Sequence, residues 1–266
     1  MPANKLRATN TLKISLLVAA CIFVVAILSL LLLVSPAARK QELTVSAAIS
    51  LKEPLTEIGA QFEKTHPGVT IVYNWGASGQ LEQQIEQGAP ADVFASAAED
   101  KMDKLVGKGL VDRQSVKDFT KNRLVVIGHS CDKIHSFDDL KNVDRLSIGD
   151  PLTVPAGEYA KEALTKAKIY DSLQSGNKLV FGGNVRQVLI YVEGGNVDAG
   201  IVYSSDAITG KGISVCFTVP DTYTDPIVYP IGVIKTTQHG KVAQEFVDLV
   251  ASPYGQSILK QKGFQP

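Results

Sequence analysis

The segment Gly149-Asp150-Pro151-Leu152-Thr153-Val154-Pro155-Ala156-Gly157-Glu158 has the makings of an anion cradle. Pro155 forbids helix before it and suits a first helical position, while Ala156 and Gly157 carry almost no side chain. The free N–H groups of a first turn can there touch a ligand directly. No Lys or Arg lies in this loop, so an oxyanion would be held by backbone dipoles rather than by a counter-charge. Four other segments share the character: Ser46-Ala47-Ala48-Ile49-Ser50, Trp75-Gly76-Ala77-Ser78-Gly79-Gln80, Gly182-Gly183-Asn184-Val185-Arg186 and Ala199-Gly200-Ile201-Val202-Tyr203-Ser204-Ser205-Asp206. Ser50 and Ser78 offer hydroxyls, Val185 an N–H, and Tyr203 a phenol at a strand end. Each has an ordinary alternative: helix caps for the serines, packing for the glycines, a half-buried core ring for Tyr203.

Hydrogen phosphate would need an acceptor carboxylate in such a site. Only Asp150 and Asp206, at loop margins, supply one. Phosphate is therefore disfavoured, and a tetrahedral dianion that only accepts hydrogen bonds fits better. Ser50, Ser78, Ala156, Val185 and Tyr203 include no Asp, Glu or His, so affinity is expected to be nearly flat in pH.

Positioning these donors requires strands that end where helices begin. Short β-like runs occur at Leu43-Ser46, Val69-Tyr73, Val93-Ala95, Leu124-Ile127, Arg145-Ile148, Leu179-Phe181, Ala199-Tyr203 and Val228-Ile234. They alternate with helical patterns at Leu51-Lys64, Gly79-Gln87, Asp100-Gly107, Tyr159-Lys166, Arg186-Glu193 and Gly240-Ala251. This alternation predicts an α/β fold with mainly parallel sheet, in which ligands gather at the carboxyl ends of strands.

The chain has 266 residues, and its 27 Lys and Arg balance 27 Asp and Glu. Zero net charge, with no basic stripe carrying interleaved aromatics, argues against a nucleic-acid partner. Residues 1–40 differ in kind: Lys5, Arg7 and Lys13 precede an uncharged run from Ile14 to Val34. That run reaches the roughly 20 residues needed to cross a bilayer, so a retained membrane anchor is expected. Cleavage after Ala37, as from a signal peptide, is the alternative. Cys21 lies in a sequence resembling a lipoprotein box, but the apolar run continues past it, and a small apolar residue in a membrane helix is the better reading. Cys131 and Cys216 remain in the exported part, where a disulfide and two free thiols are both open.

Other motifs carry less. Gly76-Ala77-Ser78-Gly79-Gln80 falls one residue short of a nucleophile elbow, and no His follows in a suitable context, so no enzyme is expected. Thr209-Gly210-Lys211-Gly212 lacks the spacing of a P-loop. His129, Cys131, Asp132 and His135 form the sole metal-like cluster in the sequence, better explained as a solvated loop. Arg186 is expected to brace neighbouring carboxylates or loops.

With these segments in view, the chain resembles the molybdate-binding proteins of ABC importers, which have the type II periplasmic binding protein fold. The resemblance runs from Leu43 to Phe264. It is carried by Ser46-Ala47-Ala48-Ile49-Ser50-Leu51, by Ile85-Glu86-Gln87-Gly88-Ala89-Pro90-Ala91-Asp92-Val93-Phe94, by Gly149-Asp150-Pro151 through Val154-Pro155-Ala156-Gly157-Glu158-Tyr159-Ala160-Lys161-Glu162-Ala163-Leu164, and by Gly200-Ile201-Val202-Tyr203-Ser204-Ser205-Asp206-Ala207. It departs at Trp75-Gly76-Ala77-Ser78-Gly79, where the family is often richer in serine, so the weight there falls on Ser78. The resemblance implies a two-lobed α/β receptor: lobe 1 from 41–121 and a returning 229–266, lobe 2 from 122–228, hinged near Asn122 and Tyr229. It implies molybdate or tungstate as ligand, with no cofactor, met at Ser50, Ser78, Ala156, Val185 and Tyr203. It also implies an extracytoplasmic monomer that delivers the ion to an ABC permease with a cytoplasmic ATPase. The alternative is a same-fold receptor for a metal ion, a metal chelate, or another oxyanion such as sulfate.

Overall fold

A computed structural model describes residues 41–266; the expectations for the N-terminal segment and Cys21 fall outside the described residues. In chain order the elements are β1 (Gln41–Ala48), α1 (Lys52–Thr65), β2 (Val69–Gly76), α2 (Ser78–Glu86), β3 (Val93–Ala95), α3 (Glu99–Gly107), β4 (Lys117–Asn122) and β5 (Leu124–Gly128). They continue with β6 (Leu146–Gly149), α4 (Pro155–Lys166), α5 (Tyr170–Ser175), β7 (Leu179–Gly182), α6 (Val185–Glu193) and β8 (Ala199–Tyr203). The last are α7 (Ser204–Ala207), β9 (Ser214–Thr218), β10 (Ile227–Val233), α8 (Gly240–Ala251) and α9 (Pro253–Gln261). Among the described residues no helix is long and apolar enough to cross a membrane.

The strands form two five-stranded sheets, ordered β2-β1-β3-β10-β4 and β7-β6-β8-β5-β9. Both are mixed. Parallel pairs β1/β3, β6/β7 and β6/β8 form where a helix connects the strands, as crossover geometry demands. Antiparallel pairs β3/β10, β4/β10, β5/β8 and β5/β9 form around the strands by which the chain changes sheets. Asn122 of β4 pairs with Ile227 of β10, so the strands flanking the two passages between sheets lie side by side.

Edge strands β4 and β9 have no counterpart in the periodicity-based expectation. β4 reads Lys-Asp-Phe-Thr-Lys-Asn, and β9 is largely exposed. An edge strand such as β4 keeps a charged sequence because an open apolar edge would pair with other chains. Helices α5 and α9 also escaped the apolar pattern. α9 nonetheless carries a legible start, with Ser252 accepting from the Gly255 N–H and Pro253 at the first turn.

Most helices pack an apolar stripe on the sheets; Leu55, Ile58 and Phe62 of α1 are fully buried, as are Phe246, Val247 and Val250 of α8. Burial of each such side chain is worth roughly 1.5–3 kcal/mol. Near the passages between sheets, three aromatic rings meet edge to face: Tyr203 with Tyr229 at 5.7 Å and Tyr229 with Phe264 at 5.4 Å. Cys131 and Cys216 are joined by a disulfide that ties the loop after β5 to β9.

Candidate functional site

One small cavity, of about 10 Å³, has Ser50, Ser78, Ala156, Val185 and Tyr203 all in its wall. The rest of the wall is Ala48, Ile49, Gly76, Ala77, Ala97, Val154 and Pro155, so no charged side chain lines it. That is about the space one water molecule needs and far below the roughly 300–1,000 Å³ of pockets for drug-sized molecules.

Three of the five candidate residues arrive at helix starts. Ser78 is the first residue of α2, Val185 the first of α6, and Ala156 follows Pro155 at the start of α4. Ser50 sits in a short 3-10 turn between β1 and α1. Within α4, Gly157 and Glu158 both donate back to the Val154 carbonyl. That leaves the Ala156 N–H, among the described residues, without a protein acceptor. The position of Val185 is similar: Asn184 caps α6 by accepting from the Gln187 N–H at 3.0 Å, and Val185 itself is left over. Each helix start adds about half a positive charge facing the cavity.

Helix capping, the ordinary reading of the two serines, fails here. Neither hydroxyl makes a cap hydrogen bond, because Ser78 lies inside α2 rather than before it and Ser50 precedes α1 by a turn. The Ser78 hydroxyl instead accepts from the Ala97 N–H at 2.9 Å, so its own proton is free to point elsewhere. Ser50 Oγ lies 3.2 Å from Tyr229 Oη. Tyr203 closes the wall from the end of β8; it is buried, and its phenol oxygen has no partner among the described residues. Burial holds its proton on well above the ordinary tyrosine pKa.

The role of Gly157 differs from the one its sequence suggests. A side chain there would collide with the backbone of Gly149, so its smallness lets α4 sit against the end of β6. Its N–H is spent on Val154. The sequence reading also passed over Ala97, although Ala95-Ser96-Ala97-Ala98, between β3 and α3, repeats the strand-to-helix signal of the other segments. Asp150 stays at its loop, its carboxylate accepting from the Leu152 N–H at 3.0 Å. Asp206 is less marginal than its loop position suggested: it is 1 % exposed, and neither carboxylate oxygen has a partner among the described residues. Burial raises its pKa to about 7, with the Arg186 guanidinium pulling it down and Glu53 pushing it up. Arg186 braces, pairing with Glu53 at 2.5 Å and donating to Thr209 Oγ1 at 2.6 Å.

The metal-like cluster of the sequence is dispersed. Cys131 is in the disulfide, His129 Nδ1 lies 2.7 Å from the Gly212 carbonyl, and His135 Nε2 lies 3.1 Å from the Asp132 carbonyl. Among the described residues no three His, Cys, Asp or Glu side chains are grouped to hold a metal ion.

Two mixed sheets meeting beside an uncharged donor cavity form the architecture of a binding protein, and the sequence comparison decides which kind. Residues 43–265 match the profile described as bacterial extracellular solute-binding protein. The chain belongs to this family. This solute-binding protein is 41 % identical over 228 residues to YvgL of Bacillus subtilis, by name an ABC transporter substrate-binding lipoprotein, covering 85 % of this chain and 87 % of that one. It is 37 % identical to the molybdate-binding protein ModA of Escherichia coli, covering 84 % and 88 %. Among solved structures it superposes on the periplasmic molybdate-binding protein of Azotobacter vinelandii with a TM-score of 0.76 and 25 % identity, covering 84 % of this chain and 99 % of that one. The fold is thus the expected two-sheet α/β periplasmic binding protein architecture, and the protein works outside the cytoplasm.

Proposed function

We propose that this solute-binding protein captures molybdate, and tungstate of nearly the same size, and hands it to an ABC permease driven by a cytoplasmic ATPase. The observation that carries the reading is the buried Tyr203 hydroxyl, without a partner among the described residues, in a cavity lined by no charged side chain and shared with Ser50 and Ser78. A buried polar group without a partner costs about 1–3 kcal/mol, which a ligand oxygen would restore. Hydroxyls at Ser50 and Ser78, N–H groups at Ala156 and Val185, and the Tyr203 phenol then surround a dianion. Charge-assisted bonds of roughly 1.5–3 kcal/mol each are ample for sub-micromolar affinity, about −8 kcal/mol or better.

The protein acts as a monomer, catalyses nothing, and is tethered or exported by residues 1–40. Its lobes are 41–121 with 229–266, and 122–228, closing on the ion between them. The names of the molybdate-binding relatives favour molybdate over sulfate, which has the same shape and charge. A cation would need acceptors, and the Ser78 oxygen already accepts from the protein.

Calorimetric titration of the full chain with molybdate, tungstate, sulfate and phosphate tests the reading. Molybdate and tungstate should bind below micromolar, sulfate at least about tenfold more weakly, and phosphate hardly at all. A chain that ignores the oxyanions but binds a divalent cation would sink it.

A further inference from the structure

Ser50 can serve an anion only if its proton points into the cavity, and the structure contains a device that sets this. We infer that Asn122 and Tyr229 are positioning residues that force Ser50 to act as a donor, and so help the site discriminate against protonated oxyanions. The inference rests on the oxyanion reading above.

Asn122, at the end of β4, and Tyr229, in β10, are both buried. The Asn122 amide oxygen accepts from the Arg123 N–H at 2.9 Å and from the Ser204 hydroxyl at 2.9 Å. Two donors on that oxygen fix which way the amide faces. Its nitrogen therefore points to Ser205 Oγ at 2.8 Å and to Tyr229 Oη at 3.3 Å. An amide NH2 has only protons to offer, so the tyrosine oxygen accepts there. Ser50 Oγ lies 3.2 Å from that hydroxyl, and in the proposed relay the Tyr229 proton goes to it. With that lone pair engaged, the Ser50 proton is left for the cavity. Ser78 reaches the same state more directly, through the Ala97 N–H. A chain of bonds of this kind polarises each member in turn. Its anchor, the Ser204-Ser205 pair, opens α7 directly after Tyr203, so one short segment sets two of the five donors.

The test titrates the full chain and its variants with molybdate and, by competition, with inorganic phosphate. Asn122→Asp puts an acceptor where the amide nitrogen was and reverses the chain: Tyr229 donates to the new carboxylate, and Ser50 donates to Tyr229. Ser50 then shows the ligand a lone pair. Molybdate affinity should fall roughly tenfold or more, while the ratio of molybdate to phosphate affinity narrows by about tenfold, because Ser50 can now accept the phosphate proton. With the titrations run well above the second pKa of phosphate, both ligands are dianions, and the added negative charge repels them alike and leaves that ratio alone. Tyr229→Phe should cost molybdate only a few-fold, since Ser50 is released rather than reversed. In a Ser50→Ala background neither substitution should change the ratio. A ratio that is unmoved by Asn122→Asp, or moved equally in the Ser50→Ala background, overturns the relay while leaving the molybdate reading intact. A wild-type chain that does not bind molybdate overturns both.

Discussion

Tyr203 shows most plainly what the proposed binding role asks of the folded chain. The phenol is buried without a partner, so Tyr203→Phe should weaken molybdate binding by roughly 10- to 150-fold. In the unliganded chain the same change should leave the melting temperature unchanged or slightly raised, because an unsatisfied polar atom is gone. A lower melting temperature with unchanged affinity would make Tyr203 an ordinary core ring. Asp206 adds a pH dependence that the five proposed contacts alone would not have. Arg186, Glu53, Tyr203 and Tyr229 surround it electrostatically, and its pKa is raised from 3.8 to about 7. Between those values the folded chain keeps a proton that the unfolded chain has lost. The contribution of this carboxyl to stability is therefore full below about pH 4, declines as pH rises, and is gone above about 7. Asp206→Asn should match wild type in melting temperature near pH 4 and exceed it at pH 8; a difference constant in pH counts against the buried carboxyl. A bound dianion holds the Asp206 proton more tightly still, so molybdate affinity should be flat below about pH 7 and weaken above it. At this scale the residues that come to line the cavity were legible because Gly, Ala, Ser and Pro at a strand-to-helix junction leave few roles open. The Tyr229 and Asn122 relay was not, since its bonds join residues 107 and 179 positions apart.

Helix starts are the elements that make the cavity, and they must come close from both sheets. Gly79, one residue into α2, donates its N–H to the Thr153 carbonyl at 3.1 Å, just before α4. A Cβ on Gly79 would stand 2.6 Å from that oxygen. Gly79→Ala should therefore hold the two helix starts apart and reduce molybdate affinity by about tenfold or more, with little change in thermal stability, since only this approach is crowded. Small-angle scattering should show the variant remaining expanded when molybdate is added; compaction equal to wild type would remove Gly79 from closure. Lys101 with Glu158, and Arg186 with Glu53, are the ion pairs that join α3 to α4 and α6 to α1. Central strands were readable from apolar runs such as Leu124-Ile127 and Ala199-Tyr203. Edge strand β4 was not, because its sequence carries the charges that keep an edge from pairing, and β9 was not, because its short run Ser-Val-Cys-Phe-Thr is mostly exposed and shows no apolar alternation.

For the whole molecule, the disulfide and the cavity are separable. Cys131 and Cys216 close a span of 85 residues within the half of the molecule built on the second sheet, and neither lines the cavity. Replacing both by Ser should lower stability by about 2–5 kcal/mol, read from denaturant unfolding, while the molybdate dissociation constant stays put. A parallel loss of affinity would mean that the disulfide shapes the cavity. Sequence left this pairing open, since two cysteines so far apart meet only if the strands place them together.

The uncharged lining of the cavity has an electrical consequence. On the proposed reading the site neutralises nothing, so a bound dianion would bring its charge into the protein. The empty chain is formally neutral at pH 7, and the occupied one would carry up to two negative charges, less whatever proton Asp206 gains. Loading thus doubles as an electrostatic label: the occupied form should migrate faster toward the anode in a native gel and elute later from an anion exchanger. A permease surface could sense that difference at a distance set by the Debye length, about 8 Å at physiological salt.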